Sequence, residues 1–428
     1  MPDNNSTREI EQSIMTQLHD AGYALVLDEQ QANGRRFDFV AYAPDRAGRL
    51  KPHAVVEVKA VKRAVLREQA LDTLAYAREL LGTERHYYVE GDQWFLADAG
   101  LRQFTPIARP ELVDSRNGIV ADDSLLDQLL SRTLWRMADA DRDRRADGLA
   151  QALLLTLGRL ERTGVMHLSN QDIIADRNQL WHAANRLTRR VLETSGHADL
   201  FTPQQITDVM VRMLGEPHGA VVDPFCGTGL LLAEVAEHAE VIDAEFYGQD
   251  INPFVVDIAE VLASLALAPM SVERRDSLAG PVRSANLIIS APPWGLRLDE
   301  RYELLSVDST TDGDLAVIDA CLRALTPGGR AVILLPRGWT FRSGVAQRYR
   351  AWLGRHSRVA ALVGLPAGAL TMVHIPVLVL VLENKGPSTT FVAELEADWQ
   401  EQLSADGTTM RALRAHLDSP GAEDAGLS

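Results

Sequence analysis

The 428 residues carry 46% apolar and 24% charged side chains, a balance typical of a soluble globular protein with two or three domains. The net charge of −16 argues against bulk nonspecific affinity for nucleic acid, although a local groove still admits DNA as a substrate. The N-terminus has no basic-then-apolar leader, no apolar run reaches the ~20 residues of a membrane helix, and two cysteines form no disulfide framework. We therefore expect a cytoplasmic protein with no membrane partner.

Residues 1–115 are predicted to form a first domain of the α/β class. Ile10, Ile14 and Leu18 recur at helical spacing, and residues 36–42 alternate as a half-buried strand does. The other predicted elements of this domain are a strand over 54–60, a helix over 66–81, and a closing hairpin of residues 87–89 and 94–96.

Asp38 lies on the first of these strands, and Glu57 and Lys59 lie on the second. Side chains two residues apart on a strand share a face, so Lys59 can orient water or steady a phosphate beside Glu57. Two carboxylates on neighbouring strands supply the hard oxygen ligands that Mg²⁺ prefers. The pattern favours a phosphodiesterase site with Asp38 and Glu57 as metal ligands. The alternative is the solvated polar face of an antiparallel strand pair.

This segment resembles the PD-(D/E)xK nuclease fold, and in particular the N-terminal nuclease domain of type I restriction subunits. The resemblance rests on the order of a helix, the Asp38 strand, the Glu-x-Lys strand and a helix that carries Gln69. It implies assisting roles for Gln69 and for Glu11 of the first helix, with Glu9 as the competing candidate. It also implies Mg²⁺ as a cofactor, unless the domain is a DNA-binding relic that does not cleave.

Residues 120–215 are predicted to form a helical linker domain. Its apolar stripes predict three helices, over residues 125–134, 150–160 and 180–192. The string Phe201-Thr202-Pro203 then opens a helix that runs to Met213, with Thr202 as the predicted N-cap and Pro203 as the first helical residue.

Residues 216–385 are predicted to form a doubly wound α/β domain. The apolar run 220–222 ends at Asp223, and a turn with Gly227 and Gly229 leads into a helix, so backbone N–H groups can approach a ligand closely. Asp250 ends the next strand, where an acid can accept hydrogen bonds from both hydroxyls of a ribose. Asp276 follows at a similar interval. Three acids in this order predict a cofactor pocket.

The string Asp223-Pro224-Phe225-Cys226-Gly227-Thr228-Gly229 looks like the first motif of S-adenosylmethionine-dependent DNA methyltransferases that act on exocyclic amino groups. With Phe201-Thr202-Pro203 before it, the chain from about 120 to 385 resembles the modification subunits of type I restriction systems. The resemblance implies a Rossmann-like fold with S-adenosylmethionine as cofactor. The residues that it places at this cofactor are Thr202, Asp223, Phe225, Gly227, Gly229, Asp250, Asn252 and Asp276.

The tetrapeptide Ala291-Pro292-Pro293-Trp294 decides the chemistry under this resemblance, whose pattern is Asn or Asp, Pro, Pro, then Tyr or Phe. The Asn oxygen and the next proline carbonyl accept the two N–H bonds of the adenine amino group, which localises its lone pair for attack on the methyl group. Trp294 can stack on a flipped base, but Ala291 has no side-chain acceptor. Because losing one such hydrogen bond costs ~10²–10³ in rate, the departure bears on catalysis rather than on cofactor binding.

Residues 386–428 are predicted to be an acidic, flexible tail too short for a target-recognition domain. We therefore expect DNA as the substrate, with a separate specificity subunit as partner or with relaxed specificity. The leading hypothesis is an adenine-N6 DNA methyltransferase with a fused nuclease-like domain, in restriction–modification or related phage defence. One alternative is a degenerate methyltransferase that serves as a DNA- or cofactor-binding scaffold or sensor. Another is a methyltransferase that acts on RNA, protein or a small molecule.

Overall fold

The computed structural model describes residues 4–59, 64–113, 118–140, 148–168, 171–195, 202–238, 243–370 and 374–419. The chain divides into two compact units. The N-terminal unit comprises Met1–Leu129 with Arg159–Leu180, and the C-terminal unit comprises Leu130–Gly158 with Trp181–Ser428.

The N-terminal unit contains a six-stranded sheet on which two helices pack. Its first elements are α1 (Asn4–Asp20), β1 (Leu25–Ala32), β2 (Arg35–Pro44), β3 (Leu50–Lys59), α2 (Ala64–Leu81), β4 (Arg85–Glu90), β5 (Gln93–Ala97) and β6 (Phe104–Ile107). The helices, strands and closing hairpin predicted for residues 1–115 are present, whereas β1 and β6 were not predicted.

The strands of this sheet follow one another in chain order, from β1 to β6. β3 and β4 are parallel, with α2 as the crossover between them, whereas the other neighbours are antiparallel. Leu18, Phe39, Val56, Tyr87 and Trp94 are buried together in its main core. This core holds β2 and β3 side by side, and those are the strands that carry Asp38, Glu57 and Lys59.

The middle of the chain mixes helices with a small sheet. Its elements are β7 (Ile119–Val120), α3 (Asp123–Ala140), α4 (Gly148–Leu157), β8 (Val165–His167), β9 (Asp172–Ala175) and α5 (Arg177–Thr194). β9 pairs in parallel with β7 and antiparallel with β8. The expectation of a separate helical domain over 120–215 is therefore wrong, and the division between the units falls within α3 and α5. Strands of two to four residues are too short to show a period in the sequence.

The C-terminal unit is built on an eight-stranded sheet. Its elements are α6 (Gln204–Leu214), β10 (His218–Asp223), α7 (Leu230–Glu237), β11 (Asp243–Asp250), α8 (Pro253–Leu265), β12 (Met270–Arg274), β13 (Ala285–Ser290), β14 (Arg297–Glu303), β15 (Ser309–Asp312), α9 (Gly313–Ala324), β16 (Leu325–Pro336), a 3-10 turn (Arg337–Thr340), α10 (Val345–His356), β17 (Arg358–Leu365), β18 (Val377–Glu383), β19 (Phe391–Glu394), α11 (Trp399–Gln402) and α12 (Thr408–Leu417).

The strand order β12-β11-β10-β13-β16-β18-β17-β19 is that of a doubly wound fold. β18 runs antiparallel to both neighbours, and the other pairs are parallel. The chain proceeds from β10 to β12 on one side and then returns to β13 on the other, so the order reverses between β10 and β13. Ligands of open α/β sheets bind at the carboxyl ends of the strands beside such a reversal.

The expected flexible tail is wrong for residues 386–419. β19 adds to the sheet beside β17, and Met410 and Leu413 of α12 are fully buried. Arg330 donates to the Leu417 carbonyl at 3.4 Å, and Arg358 donates to the His416 carbonyl at 3.0 Å. The acidic side chains after residue 386 suggested solvation, but the apolar residues between them pack against the sheet. Residues 420–428 lie outside the described part of the chain.

Within the described residues, no helix is both long and apolar enough to cross a membrane.

Candidate functional site

β10 ends at Asp223 on the carboxyl edge of the sheet, and the chain then turns into α7. Gly227 and Gly229 have φ angles of 53° and 78°, in the left-handed region that favours glycine. The Cys226 amide donates to the Gln249 carbonyl at 2.9 Å, which fastens this turn to the end of β11. The strand–turn–helix unit predicted from the sequence is therefore present.

Asp223 is 1% exposed and lies at the centre of the reversal in strand order. Its Oδ1 accepts hydrogen bonds from the Phe225 amide at 3.0 Å and from the Ser290 hydroxyl at 2.7 Å. Because Ser290 ends β13, the second bond joins the two loops that leave β10 and β13. Burial raises the pKa of Asp223 to about 7, and the two hydrogen bonds oppose that rise.

Asp250 is half-buried at the end of β11 and bridges two backbone segments. Its Oδ2 accepts from the Gly227 amide at 2.9 Å, and its Oδ1 accepts from the Asn252 amide at 2.8 Å. Asn252 in turn caps α8, because its Oδ1 accepts from the Phe254 amide at 3.1 Å. The structure thus brings the glycine turn, Asp250 and Asn252 together, as the sequence predicts.

Asp276 is exposed in the loop after β12, where its Oδ1 accepts from the Leu278 amide at 2.9 Å and the Ala279 amide at 3.3 Å. The next residue, Ser277, is buried, and its hydroxyl donates to the Pro224 carbonyl at 2.7 Å. This bond holds the Asp276 loop against the turn after β10. Acids from three successive strand ends therefore share one edge of the sheet.

The loop after β13 carries Ala291, which is half-buried, followed by buried Pro292 and exposed Pro293. The indole Nε1 of Trp294 donates to the Leu334 carbonyl at 3.0 Å, which anchors the ring beside β16 while part of it stays exposed. The alanine side chain offers no hydrogen-bond acceptor. The loop therefore starts directly after Ser290, whose hydroxyl bonds Asp223, and it carries a partly exposed aromatic ring.

The expected role of Thr202 as an N-cap is wrong. Pro203 is the cap residue of α6, no side-chain cap hydrogen bond forms there, and the Pro203 carbonyl accepts from Ile206 and Thr207. The Thr202 carbonyl instead accepts from Arg189 Nη1 at 3.3 Å and from the Thr207 hydroxyl at 3.3 Å. A Thr-Pro pair at a helix start thus suggested a cap one residue too early. Phe201 lies outside the described residues.

A second polar cluster, of Asp38, Glu57 and Lys59, lies in the N-terminal unit. Phe39 pairs with Val56 across β2 and β3, so Asp38 and Glu57 stand opposite each other one residue further along. Lys59 Nζ lies 3.2 Å from Glu57 Oε2 and 3.5 Å from Asp38 Oδ2. The predicted trio therefore shares one face of the sheet.

Charge crowding and burial shape this cluster. Burial raises the pKa of Glu57 to about 7, and the nearby Asp38 carboxylate adds to the rise. Burial also raises the pKa of Glu11. The carboxylates of Asp28, Glu29 and Asp38 raise it further. The assisting role of Glu11 stays a prediction.

The predicted helix residue Gln69 is exposed on α2, and Glu9 is exposed on α1. A residue that the sequence did not single out, Glu90, is 4% exposed and forms an ion pair of 2.6 Å with Arg67. In the described residues no group of three or more His, Cys, Asp or Glu side chains is arranged to hold a metal ion. Asp38 and Glu57 therefore stand as a pair of candidate ligands.

Residues 186–413, more than half of the chain, match the N-6 DNA methylase family. The chain belongs to this family. The matched region of the chain contains the glycine turn, Asp250, Asp276 and the loop from Ala291 to Trp294.

Two curated relatives of this chain are methylase subunits of type I restriction enzymes. The EcoEI subunit of Escherichia coli is 25% identical over 203 residues, which cover 42% of this chain and 41% of that protein. The EcoKI subunit of Escherichia coli strain K12 is 22% identical over 200 residues, or 41% and 38% of the two proteins. The chain thus spans about two fifths of the length of these relatives.

A solved structure is similar to this chain in fold. It is a putative class I S-adenosylmethionine-dependent methyltransferase from Listeria monocytogenes, with a TM-score of 0.52 and 17% identity. The superposition covers 69% of this chain and 98% of the Listeria chain. The mixed α/β fold therefore has a methyltransferase-like neighbour.

Three residues that shape the candidate site were not found from the sequence: Ser277, Ser290 and Arg342. Ser290 was detectable in principle, because this polar residue follows the apolar run 287–289 directly before the tetrapeptide. Ser277 follows a predicted acid and resembles any loop serine. Arg342 pairs with Asp312 and Asp314 across about thirty residues of sequence, a distance that no local pattern spans.

The packing around the glycine turn gives a testable prediction. A Cβ at Gly248 would lie 2.8 Å from the Cys226 sulfur, so Gly248→Ala should destabilise the C-terminal unit by about 1–3 kcal/mol through overpacking. Cys226→Ala in the same protein should recover part of that loss. Calorimetric unfolding of the two single variants and the double variant measures this coupling.

Gly354→Ala on α10 is the matched control, because nothing lies within 4 Å of its added Cβ. We expect this change to be neutral or slightly stabilising. Equal behaviour of Gly248→Ala and Gly354→Ala would contradict the packing described here.

Proposed function

We propose that the chain is an S-adenosylmethionine-dependent methyltransferase that acts on the N6 amino group of adenine in DNA, within restriction–modification or related phage defence. The observation that carries the proposal is the hydrogen bond of 2.7 Å from Ser290 to Asp223. It places the loop of residues 291–295 next to the glycine turn at the reversal in strand order. Membership of the N-6 DNA methylase family supports the reaction class.

The residues at this edge fit S-adenosylmethionine. Gly227 and Gly229 have φ angles in the left-handed region, which lets the backbone approach a ligand closely. Asp250 is partly exposed at a strand end, where an acid can accept hydrogen bonds from ribose hydroxyls. Asp276 is exposed and retains acceptor capacity for an amino group. Asn252 and Phe225 complete the proposed set. The cofactor, when bound, supplies an electrophilic methyl group.

The loop after β13 is proposed to receive the base. The Pro292 carbonyl would accept one N–H of the adenine amino group, and the exposed part of the Trp294 ring would stack on a base flipped out of the duplex. Ala291 provides no second acceptor, which leaves the amino lone pair more delocalised and the reaction slower by ~10²–10³. A scaffold or sensor function is the outcome if no transfer occurs at all.

We also propose that the N-terminal unit holds a nuclease-like phosphodiesterase site. Asp38 and Glu57 would hold Mg²⁺, a metal that is usually bound by one or two carboxylates together with water and substrate phosphate. The buried Glu57 Oε1 has no hydrogen-bond partner within the described residues, which suits an additional ligand. Mg²⁺, when bound, acts as a Lewis acid. Lys59 lies between the two acids and would neutralise a phosphate oxygen.

DNA is the proposed substrate of both sites, and a separate specificity subunit is the proposed partner. The relatives that match this chain are subunits of type I restriction enzymes, which supports action within an assembly. The chain carries a net charge of −16, so a partner that contributes a basic surface would compensate for weak electrostatic attraction to DNA.

Removal of the Asp250 carboxylate should abolish most cofactor affinity. Asp250→Ala loses the proposed ribose acceptor and frees the Gly227 amide, so we expect S-adenosylmethionine to bind about 10–100-fold more weakly. Isothermal titration calorimetry measures the dissociation constant. Asp257→Asn, an exposed carboxylate on α8, is the control and should bind as the natural protein does. Absence of any signal from the natural protein at millimolar cofactor would refute the pocket.

Metal binding to the N-terminal site should depend on pH. Because the pKa of Glu57 is raised to about 7, a proton competes with the metal at low pH, and Mg²⁺ affinity should rise as pH increases through 7. We expect the Mg²⁺ affinity to increase by up to about tenfold per pH unit between pH 6 and 7 and to level off near pH 8. Titration calorimetry at several pH values measures this profile.

Two variants test whether that profile belongs to Glu57. Glu57→Gln should remove both the binding and its pH dependence. Glu84→Gln, whose side chain is 73% exposed, should change neither. Metal binding that is independent of pH, or that survives in Glu57→Gln, would place the metal elsewhere.

A further inference from the structure

The loop that follows β13 is held by residues that lie far from it in sequence. The Gly295 amide donates to Oδ1 of Asp314 at 3.1 Å, and the Gly313 amide donates to the Leu296 carbonyl at 2.9 Å. Asp314 is 1% exposed in the first turn of α9. A carboxylate buried this deeply is costly unless it is paired and hydrogen-bonded. It therefore needs a specific partner.

That partner is Arg342, which follows the 3-10 turn after β16. Its Nη2 lies 2.6 Å from Oδ2 of Asp314, and its Nη1 lies 2.7 Å from Oδ2 of Asp312. Asp312 also caps α9, because its Oδ1 accepts from the Asp314 amide at 3.1 Å. The Arg342 carbonyl accepts from Arg350 Nη2 at 2.7 Å, which fixes this segment in turn. One guanidinium thus joins the start of α9 to the end of β16.

The approach between the loop and α9 is tight. A Cβ at Gly313 would lie 2.7 Å from the Leu296 Cβ and 2.9 Å from the Leu296 carbonyl oxygen. On the other side of the loop, Trp294 is anchored to the Leu334 carbonyl. Trp294, Gly295 and Leu296 are therefore all fixed by other segments. None of these contacts uses the side chain of residue 291.

We propose that Asp314, held in place by Arg342, is the positioning residue of the loop that receives the target base. This inference rests on the proposed methyl-transfer function. The Gly295 hydrogen bond sets where the Pro292 carbonyl and the Trp294 ring lie, and reactions of this kind lose about a hundredfold for misplacement by 1 Å. Arg342 pairs with the Asp314 carboxylate and fixes its orientation.

The network also bears on Ala291. Because Asp314 and Arg342 hold the loop without help from residue 291, an asparagine introduced there would enter a loop whose backbone is already in place. The alanine therefore removes one acceptor and leaves the geometry of the loop intact.

Hydrogen exchange of the full-length protein tests the positioning role directly. In Asp314→Asn and in Arg342→Gln, amides of the peptide that spans 291–296 should exchange about tenfold faster than in the natural protein, since local opening becomes easier. Arg342→Lys keeps one charged contact and should recover part of the protection. Arg348→Gln breaks an exposed ion pair with Asp308 elsewhere in the same unit and is the matched control. It should leave the 291–296 peptide unchanged.

Cofactor binding and turnover complete the test. The dissociation constant of S-adenosylmethionine should stay within about twofold in Asp314→Asn and Arg342→Gln, because neither residue belongs to the proposed cofactor set. In both variants, kcat for DNA methylation should fall at least about tenfold. If the protein transfers no methyl group, the proposed function fails while the exchange measurement still decides the positioning role. Unchanged exchange in both variants would overturn the inference. If Asp314→Asn does not fold, Arg342→Gln and Arg342→Lys carry the comparison.

Discussion

The hydrogen bond from the Ser290 hydroxyl to the Asp223 carboxylate joins the two loops on which the proposed chemistry depends. β10 and β13 pair in parallel, so their carboxyl ends open on the same edge of the sheet. One loop forms the glycine turn and the other carries Ala291 to Trp294. Because Asp223 is almost fully buried, it acts through these loops by fixing their separation. In the proposed reaction, this hydrogen bond therefore joins the cofactor pocket to the base pocket.

Local sequence patterns predicted much of this edge of the sheet. They could not predict contacts between residues that lie far apart in the sequence. The apolar run before Asp223, the glycines after it and the acid that ends β11 each follow from neighbours in sequence, and all three are in their expected places. The bond between Gly295 and Asp314 depends instead on how α9 returns to the sheet after a hairpin. The N-cap prediction for Thr202 failed for the opposite reason. A Thr-Pro pair is a common local signal for a helix start, but here the cap residue is Pro203.

The N-terminal cluster shows the same limit in a sheet. Alternation placed Asp38 on one strand and Glu57 with Lys59 on another, but only strand register decides whether they meet. That register shifts between Ala41 and Tyr42, an irregularity that the sequence does not reveal. The rise in the Glu57 pKa then follows from burial beside a second carboxylate. The tail differed from expectation because its acidic residues suggested solvation, although β19 pairs with β17. The middle segment differed because helical periodicity does not reveal strands of two to four residues.

The proposed function requires the protein to transfer a methyl group from S-adenosylmethionine to adenine. The most direct measurement follows labelled S-adenosylmethionine into unmethylated DNA, with the nucleosides then identified by mass spectrometry. The natural protein and Ala291→Asn are compared under identical conditions. We expect N6-methyladenine from both proteins, formed ~10²-fold faster when the missing acceptor is restored. Cofactor binding without methylated adenine from either protein would contradict the proposed function.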